Sequence, residues 1–310
     1  MPYPIEKKLV IAVASSALFN LEESDRIFRT QGVNAYKQYQ NEHVNEPFPK
    51  GVAFPFISRL LRLNDSFPEE QPVEVILISR NSPETGLRAF NSIAHYGLNI
   101  TRAGFSSGSA HFKYLPAFNA TLFLSANEQD VKDALAAGYA AGRVLNTAVA
   151  EDPNDRDDCE LRIAFDFDGV LADDEAEAVF QQSNDLEAYH TYEKDHAAQP
   201  LHNGPIIELL KRISYYQQLE REKSQNEPGY QRILKTAIVT ARSAPAHERM
   251  INTLTHWNVE IDEVFFLGGI EKARILNIMK PHIFFDDQMV HLEHADHIPA
   301  VHIPFGKINA

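Results

Sequence analysis

Cysteine is almost missing from this chain. Cys159 stands alone among 310 residues, which excludes an internal disulfide framework and any cysteine-based zinc site. Basic residues are also scarce beside acidic ones, 29 Lys and Arg against 43 Asp and Glu. The formal charge of −14 argues against non-specific nucleic-acid binding, which needs cations facing the phosphates. No apolar run approaches the roughly 20 residues of a membrane helix. The stretch Leu9–Phe19 after Lys7-Lys8 has the outline of a secretory signal, but it reads better as a buried strand, Leu9–Ala14, entering a polar turn at Ser15-Ser16. The 44% of hydrophobic residues can core one large domain or two of about 150 residues. These bounds fit an acidic cytoplasmic protein with no membrane and no nucleic-acid partner.

The chain reads as if written twice. Val75–Ser82 (VILISRNS) aligns with Thr236–Ser243 (TAIVTARS), and the same offset of 161 pairs Asn91 with Asn252, His95 with His256, Gly108 with Gly269 and Phe123 with Phe284. Upstream the offset is 152 to 153, pairing Ile11 with Ile163, Phe28 with Phe180, Tyr36 with Tyr189, and His43, Pro47 and Gly51 with His196, Pro200 and Gly204. Shared α/β patterning explains matched apolar residues, but not matched Asn, His, Pro and Gly. A tandem duplication is the better reading, with halves 1–150 and 151–310 joined at the acidic segment Glu151–Glu160. The length difference falls near Gln217–Gly229, which reads as an exposed loop.

Each half shows the same alternation. A buried strand leads to a polar helical insert, then a helix, a second strand, a helix, a short strand, another helix and a final strand. That is four strands per half, in parallel sheets with right-handed crossovers, and the chemistry of such sheets sits at the carboxyl ends of the strands. The fold class is α/β, two tandem Rossmann-like halves, the second carrying a small helical cap insert at about 174–205.

The second half carries the chemistry-bearing residues. In Leu161–Glu175 (LRIAFDFDGVLADDE), a strand ends at Asp166, Asp168 follows, and Gly169 allows a sharp turn. Two carboxylates so close repel unless a cation lies between them, and a hard oxygen-liganded ion such as Mg²⁺ answers that repulsion. An isolated DxDG could equally be a turn with Asx hydrogen bonds. Thr240 closes a strand and precedes Ala241-Arg242, where a hydroxyl and backbone N–H groups can hold a phosphate oxygen, although Thr240 or Ser243 would also serve as a helix cap. Lys272 follows two glycines and could neutralise phosphate. Asp286-Asp287 is a second acid pair beyond a buried strand. Asp, Asp, Thr, Lys and Asp-Asp at successive strand ends form a specific set.

With those residues in hand, the second half resembles the haloacid dehalogenase superfamily, and the whole chain resembles the cytosolic 5′-nucleotidase type I family. The carriers are AVASSALF (Ala12–Phe19), NEPFPKG (Asn45–Gly51), FDFDGVLADDE (Phe165–Glu175), PLHNGP (Pro200–Pro205), IVTARS (Ile238–Ser243), FFLGG (Phe265–Gly269) and PHIFFDDQ (Pro281–Gln288). The resemblance implies Mg²⁺-dependent hydrolysis of nucleoside 5′-monophosphates through an aspartyl-phosphate. It implies Asp166 as nucleophile and Asp168 as general acid and base. Thr240, Ala241 and Lys272 would hold the phosphoryl group, with Asp166, Asp168 (through its backbone oxygen), Asp286 and Asp287 around the metal. It places a cap where Phe180, Tyr189, Tyr192 and Lys194 are candidate substrate contacts.

At the matching strand ends the first half has Ala14 and Ser16, Ser79, His111 and Ser125-Ala126, so it should be catalytically inactive. Its remaining polar rim, Ser16, Ser79, Arg80 and Asn81 with Ser15 beside them, is either structural or binds nucleotide, as a substrate contact or an effector site. Three functions stay open at this point: a 5′-nucleotidase, a phosphatase or phosphotransferase for another small phosphomonoester, and a nucleotide sensor on a retired hydrolase fold. A homo-oligomer is compatible with each.

Overall fold

The computed structural model describes residues 3–145, 158–183, 185–295, 297–306 and 309, without the side chains of 180–183. The chain divides into two compact units, Met1–Asn146 and Thr147–Ala310. Residues 151–157 of the expected junction lie outside the described residues.

The first unit contains β1 (Leu9–Val13), β2 (Val73–Ser79), β3 (Arg102–Phe105), β4 (Leu122–Ser125) and β5 (Ala141–Val144). They are parallel, in the order β3-β2-β1-β4-β5. The second contains β6 (Leu161–Phe165), β7 (Leu234–Thr240), β8 (Glu263–Phe266), β9 (Ile283–Asp286) and β10 (Ala300–His302). Their order is β8-β7-β6-β9-β10, again parallel. The registers correspond too. Ile11 pairs with Val75 and Leu122, while Ile163 pairs with Thr236 and Ile283.

The central strands are continuous apolar runs because parallel strands linked by crossover helices are covered on both faces. All five residues of β1 are buried, as are four of the five in β6. Among the described residues each unit has five strands where the pattern suggests four. The fifth, AGRV in β5 and AVH in β10, is too short to show periodicity. A second difference lies in the expected loop at Gln217–Gly229. Helix Ile207–Asn226 runs through most of it, because Gln217 and Glu220 are buried on its inner face and bind Thr236 and the backbone of β7. The helix ends just before Pro228 and Gly229, where the chain can no longer continue it.

The insert after the first strand also takes comparable form. In the second unit, helices Glu175–Ser183 and Leu186–Asp195 pack on each other. In the first, Glu22–Glu42 is broken by non-helical backbone at Gly32. Each insert is closed by a short antiparallel bridge, Phe19 with Lys50 and Ala172 with Asn203. Gly51 and Gly204 are the residues after those bridges. A Cβ there would lie 2.7 Å from the Phe19 backbone or 2.4 Å from the Ala172 carbonyl oxygen, so only glycine fits.

Candidate active site

Strand β6 delivers Asp166 to its carboxyl end, where the residue is 5% exposed and its N–H donates to the Phe285 carbonyl at 2.8 Å. The neighbouring strand β9 ends on Asp286, which is fully buried, with Asp287 following at 3% exposure. Lys272, the first residue of helix Lys272–Met279, reaches between them. Its Nζ lies 2.7 Å from Asp166 Oδ2 and 2.7 Å from Asp286 Oδ2. His291 Nδ1 completes this side, 3.2 Å from both oxygens of Asp286.

The electrostatics follow from burial and from this pairing. Desolvation pushes Asp166 up to about 7, against the opposing pull of Lys272. Asp287 is pushed up to about 9, by burial first and then by the charges of Asp166 and Asp286. Burial would also raise Asp286, but Lys272 and His291 outweigh it and hold that carboxyl below its ordinary value. For Lys272 burial works downward, and Asp166 with Asp286 more than reverses it.

Once all three are ionised, three carboxylates against one ammonium leave an excess of negative charge, and burial with that excess is why Asp166 and Asp287 hold their protons upward of the ordinary range. The donor set fits a hard cation on structural grounds. Asp287 Oδ1 is buried without a hydrogen-bond partner. Asp287 Oδ2 lies 2.5 Å from where a Cβ on Gly169 would stand, so the glycine leaves a cradle for that carboxylate. Oxygen donors, a buried orphan among them, are what Mg²⁺ selects. Asp166, Asp286 and His291 also offer ligand atoms within 4.8 Å of one another.

Asp168 is placed differently from the other acids. Its carboxylate accepts a fork from Arg242, Nε to Oδ2 and Nη2 to Oδ1, each at 2.7 Å. Thr240 is 1% exposed at the end of β7, and its Oγ1 accepts the Arg242 N–H at 3.2 Å. Ala241 is exposed beside it. Neither Thr240 nor Ser243 caps a helix, since the next one, His247–Trp257, has Ala246 at its N-cap.

The cap candidates separate. Tyr189 lies near the Asp168–Arg242 pair: burial drives its phenol upward, Arg242 opposes this, and Asp168 and Glu193 add to it. Tyr192 donates to Glu175 and stacks on His196 at 4.1 Å, while Lys194 is exposed. The Phe180 side chain lies outside the described residues. Sequence reasoning overlooked His291, five residues beyond Asp286. It also overlooked Glu193, whose buried carboxylate accepts from Arg242 and Arg249.

Part of the first-unit rim is bonded locally, while Asn81 Nδ2 is buried without a hydrogen-bond partner. Ser79 Oγ bonds Ser15 Oγ at 2.8 Å and accepts the Asn81 N–H at 3.2 Å. Arg80 forks Asp130 and also donates to the Gly108 carbonyl at 3.4 Å. Asn81 accepts from the Tyr36 hydroxyl at 3.4 Å, and Ser16 is half-buried. His111 is buried 3.9 Å from Asp130.

The fold is thus of the mixed α/β, Rossmann-like class, with acids, a lysine and a threonine gathered at strand ends in one unit. The family model described as 5′-nucleotidase matches residues 1–310, and the chain belongs to that family. Human (Homo sapiens) cytosolic 5′-nucleotidase 1B is 34% identical over 315 residues, covering 97% of this chain and 49% of that protein. The chain therefore spans about half the length of that curated relative. No solved structure matches it significantly. Among the described residues no helix is long and apolar enough to cross a membrane.

Proposed function

We propose that this chain is a 5′-nucleotidase that hydrolyses nucleoside 5′-monophosphates to nucleoside and phosphate through an aspartyl-phosphate on Asp166. The observation that carries the reading is the buried Asp166 carboxylate held 2.7 Å from Lys272 at the end of β6. Family membership and the name of the human relative support the substrate class and a cytosolic setting. Asp166 attacks phosphorus while Asp168 gives a proton to the departing 5′-oxygen; Asp168 then takes a proton from the water that opens the intermediate. Lys272 and the Thr240 hydroxyl, with the backbone at Ala241, hold the phosphoryl oxygens, whose spread charge is stabilised chiefly by positioning. A Mg²⁺ ion held by Asp166, the Asp168 carbonyl and the Asp286-Asp287 pair would supply charge neutralisation at the phosphoryl group. Tyr189, from the cap, is the aromatic best placed to meet substrate.

The two units, taken as halves 1–150 and 151–310, are read as products of one duplication. Support comes from matched strand order and register and from repeated side-chain bonds. Asn91 Nδ2 donates to the Val44 carbonyl at 2.8 Å, and Asn252 Nδ2 to Ala197 at 2.9 Å. Ser92 Oγ donates to Arg88 at 2.8 Å, and Thr253 Oγ1 to Arg249 at 2.7 Å. The first unit is then a catalytically inactive partner.

The test is a phosphomonoester panel with Mg²⁺, for the wild type and for Asp166→Asn. Nucleoside 5′-monophosphates should give the highest kcat/KM, and Asp166→Asn should lose roughly 10⁴-fold or more in kcat. Better turnover of sugar phosphates would overturn the substrate class, and retained activity in Asp166→Asn would overturn the nucleophile.

A further inference from the structure

Glu193 is a fully enclosed charge in the second unit that the proposed reaction leaves without a role. It sits on the cap helix Leu186–Asp195 with no solvent exposure. One carboxylate oxygen accepts from Arg249 Nη1 at 2.9 Å and the other from Arg242 Nη1. Arg242 also donates to the Ala246 carbonyl at 3.2 Å, and its guanidinium carbon lies 5.3 Å from the Phe167 ring centroid. Its remaining edge is the fork on Asp168.

Taking such charges out of water is expensive, and an apolar cluster of the same volume would hold a helix in place at least as well. What the ionic chain adds is orientation. A guanidinium is flat and its donors are fixed, so holding Nη1 fixes the plane in which Nε and Nη2 meet the Asp168 carboxylate. A carboxylate has about four lone-pair sites, of which the fork takes two; a proton can be carried on the others.

The first unit supplies an internal comparison. At the offsets that align the units, Asp168, Arg242 and Glu193 fall on Ser16, Asn81 and Gln40, so all three charges are missing together. Arg249 falls on Arg88 and is kept. Its structural bond is kept as well, from Nε to the Gln199 carbonyl at 2.9 Å in one unit and to the Glu46 carbonyl at 2.8 Å in the other. The scaffold arginine stays where the chemistry is gone; the chain Glu193–Arg242–Asp168 does not.

We infer that Glu193 is a positioning residue of the active site: through Arg242 it orients the Asp168 carboxylate for proton transfer to the leaving oxygen, making turnover depend on a seated cap helix. This rests on the proposed role of Asp168.

The test compares leaving groups on the same nucleoside. In single turnovers of the full chain with Mg²⁺, one substrate is a nucleoside 5′-monophosphate, whose alkoxide must be protonated. The other has sulfur as the bridging 5′-atom, and its thiolate leaves unaided. Glu193→Gln, which installs the first unit's own residue, should slow nucleoside release from the oxygen ester about 10- to 100-fold. Release from the sulfur ester should stay within about threefold. Equal slowing of both, or slowing of neither, overturns the inference. Both rates come from the same folded molecules, so their ratio does not depend on how much of the variant folds. If Glu193→Gln gives no folded protein, Arg242→Lys is read by the same ratio. It keeps the charge but cannot fork two oxygens while reaching Glu193, and an unmoved ratio there overturns the inference as well. A wild type that releases no nucleoside from the oxygen ester would instead overturn the hydrolase reading, and this inference with it.

Discussion

The two units place different charges on matching backbones. At the end of β9 the second unit has Asp286 between Lys272 and His291; at the end of β4 the first has Ser125, with His111 beside Asp130 and Arg80 forking that same Asp130. Strand order, register and the bonds of the insert are common to both, so none of these requires the acids. The difference teaches that this strand arrangement forms with the acids and without them. A feature present in one unit alone is therefore the place to look for chemistry, and a feature present in both is the place to look for stability.

The sharpest way to break that comparison is a matched pair of substitutions. Lys272→Met should lower kcat about 10²- to 10³-fold, as loss of a buried charge aimed at the transferring group does. His111→Leu, at the matching place in the first unit, should leave kcat within about twofold. Phosphate release measures both, and a comparable loss in His111→Leu would mean that the first unit takes part in the reaction.

A second pair reverses the contrast and reads stability. Arg249→Leu should cost on the order of 3 kcal/mol, because it strips one partner from the buried Glu193 and another from Glu175. Arg88→Leu should cost only about 1–2 kcal/mol, since its hydrogen-bond partners are the neutral Gln40 amide oxygen and a backbone carbonyl and its other contacts are the Phe48 and Tyr39 rings. Denaturant midpoints decide the order, and equal costs would show that the charges add nothing to the scaffold bond.

The smallest expected effect is a pH-dependent response to Mg²⁺. Asp166 and Asp287 have folded-state pKa values of about 7 and about 9, above the 3.8 of an ordinary aspartate. Between those limits the folded, metal-free chain holds more protons than the unfolded one, so these two groups erode stability as pH rises. A cation must displace those protons to bind. The rise in Tm on adding Mg²⁺ should therefore grow between pH 6 and pH 9, by a few degrees in all. A rise that is flat or shrinks with pH would remove Asp166 and Asp287 from the proposed ligands. Substituting Asp287→Asn should remove the upper part of the trend, toward pH 9, and leave the part near pH 7 that Asp166 contributes.

The parts of this arrangement that could be read from the sequence are those where one short segment holds both the structural and the chemical signal. A buried strand that ends in Asp166, or in Asp286-Asp287, announces a charge at a sheet edge. The parts that could not be read depend on partners far apart in the chain. Arg242 meets Glu193 across 49 positions and Asp168 across 74, and within its own helix Glu193 looks like one more polar residue of a polar cap. Tyr192 and Lys194 are candidate substrate contacts because aromatic and basic side chains suit nucleotides, and the sequence does not show that Tyr192 donates to Glu175 while Lys194 is exposed. The stretch Gln217–Gly229 is exposed over most of its later part, as its charges suggest, but it is helical to Asn226 and Glu220 is a buried acceptor for the Ile233 and Leu234 N–H groups at 2.6 and 3.0 Å.

That carboxylate has a counterpart of another kind. In the first unit, Asn64 holds the start of β2 through two 2.9 Å bonds to Val73, one given and one received, from a helix of only four residues, Leu63–Ser66. The two units thus pin the root of their second strand with unlike tools, a short amide clasp in one and a long-reaching acid in the other. A chimera that exchanged these connections would have to carry each pin along with its own arm. Trimming the longer arm to the shorter length would unmoor the strand whose opposite end carries Thr240.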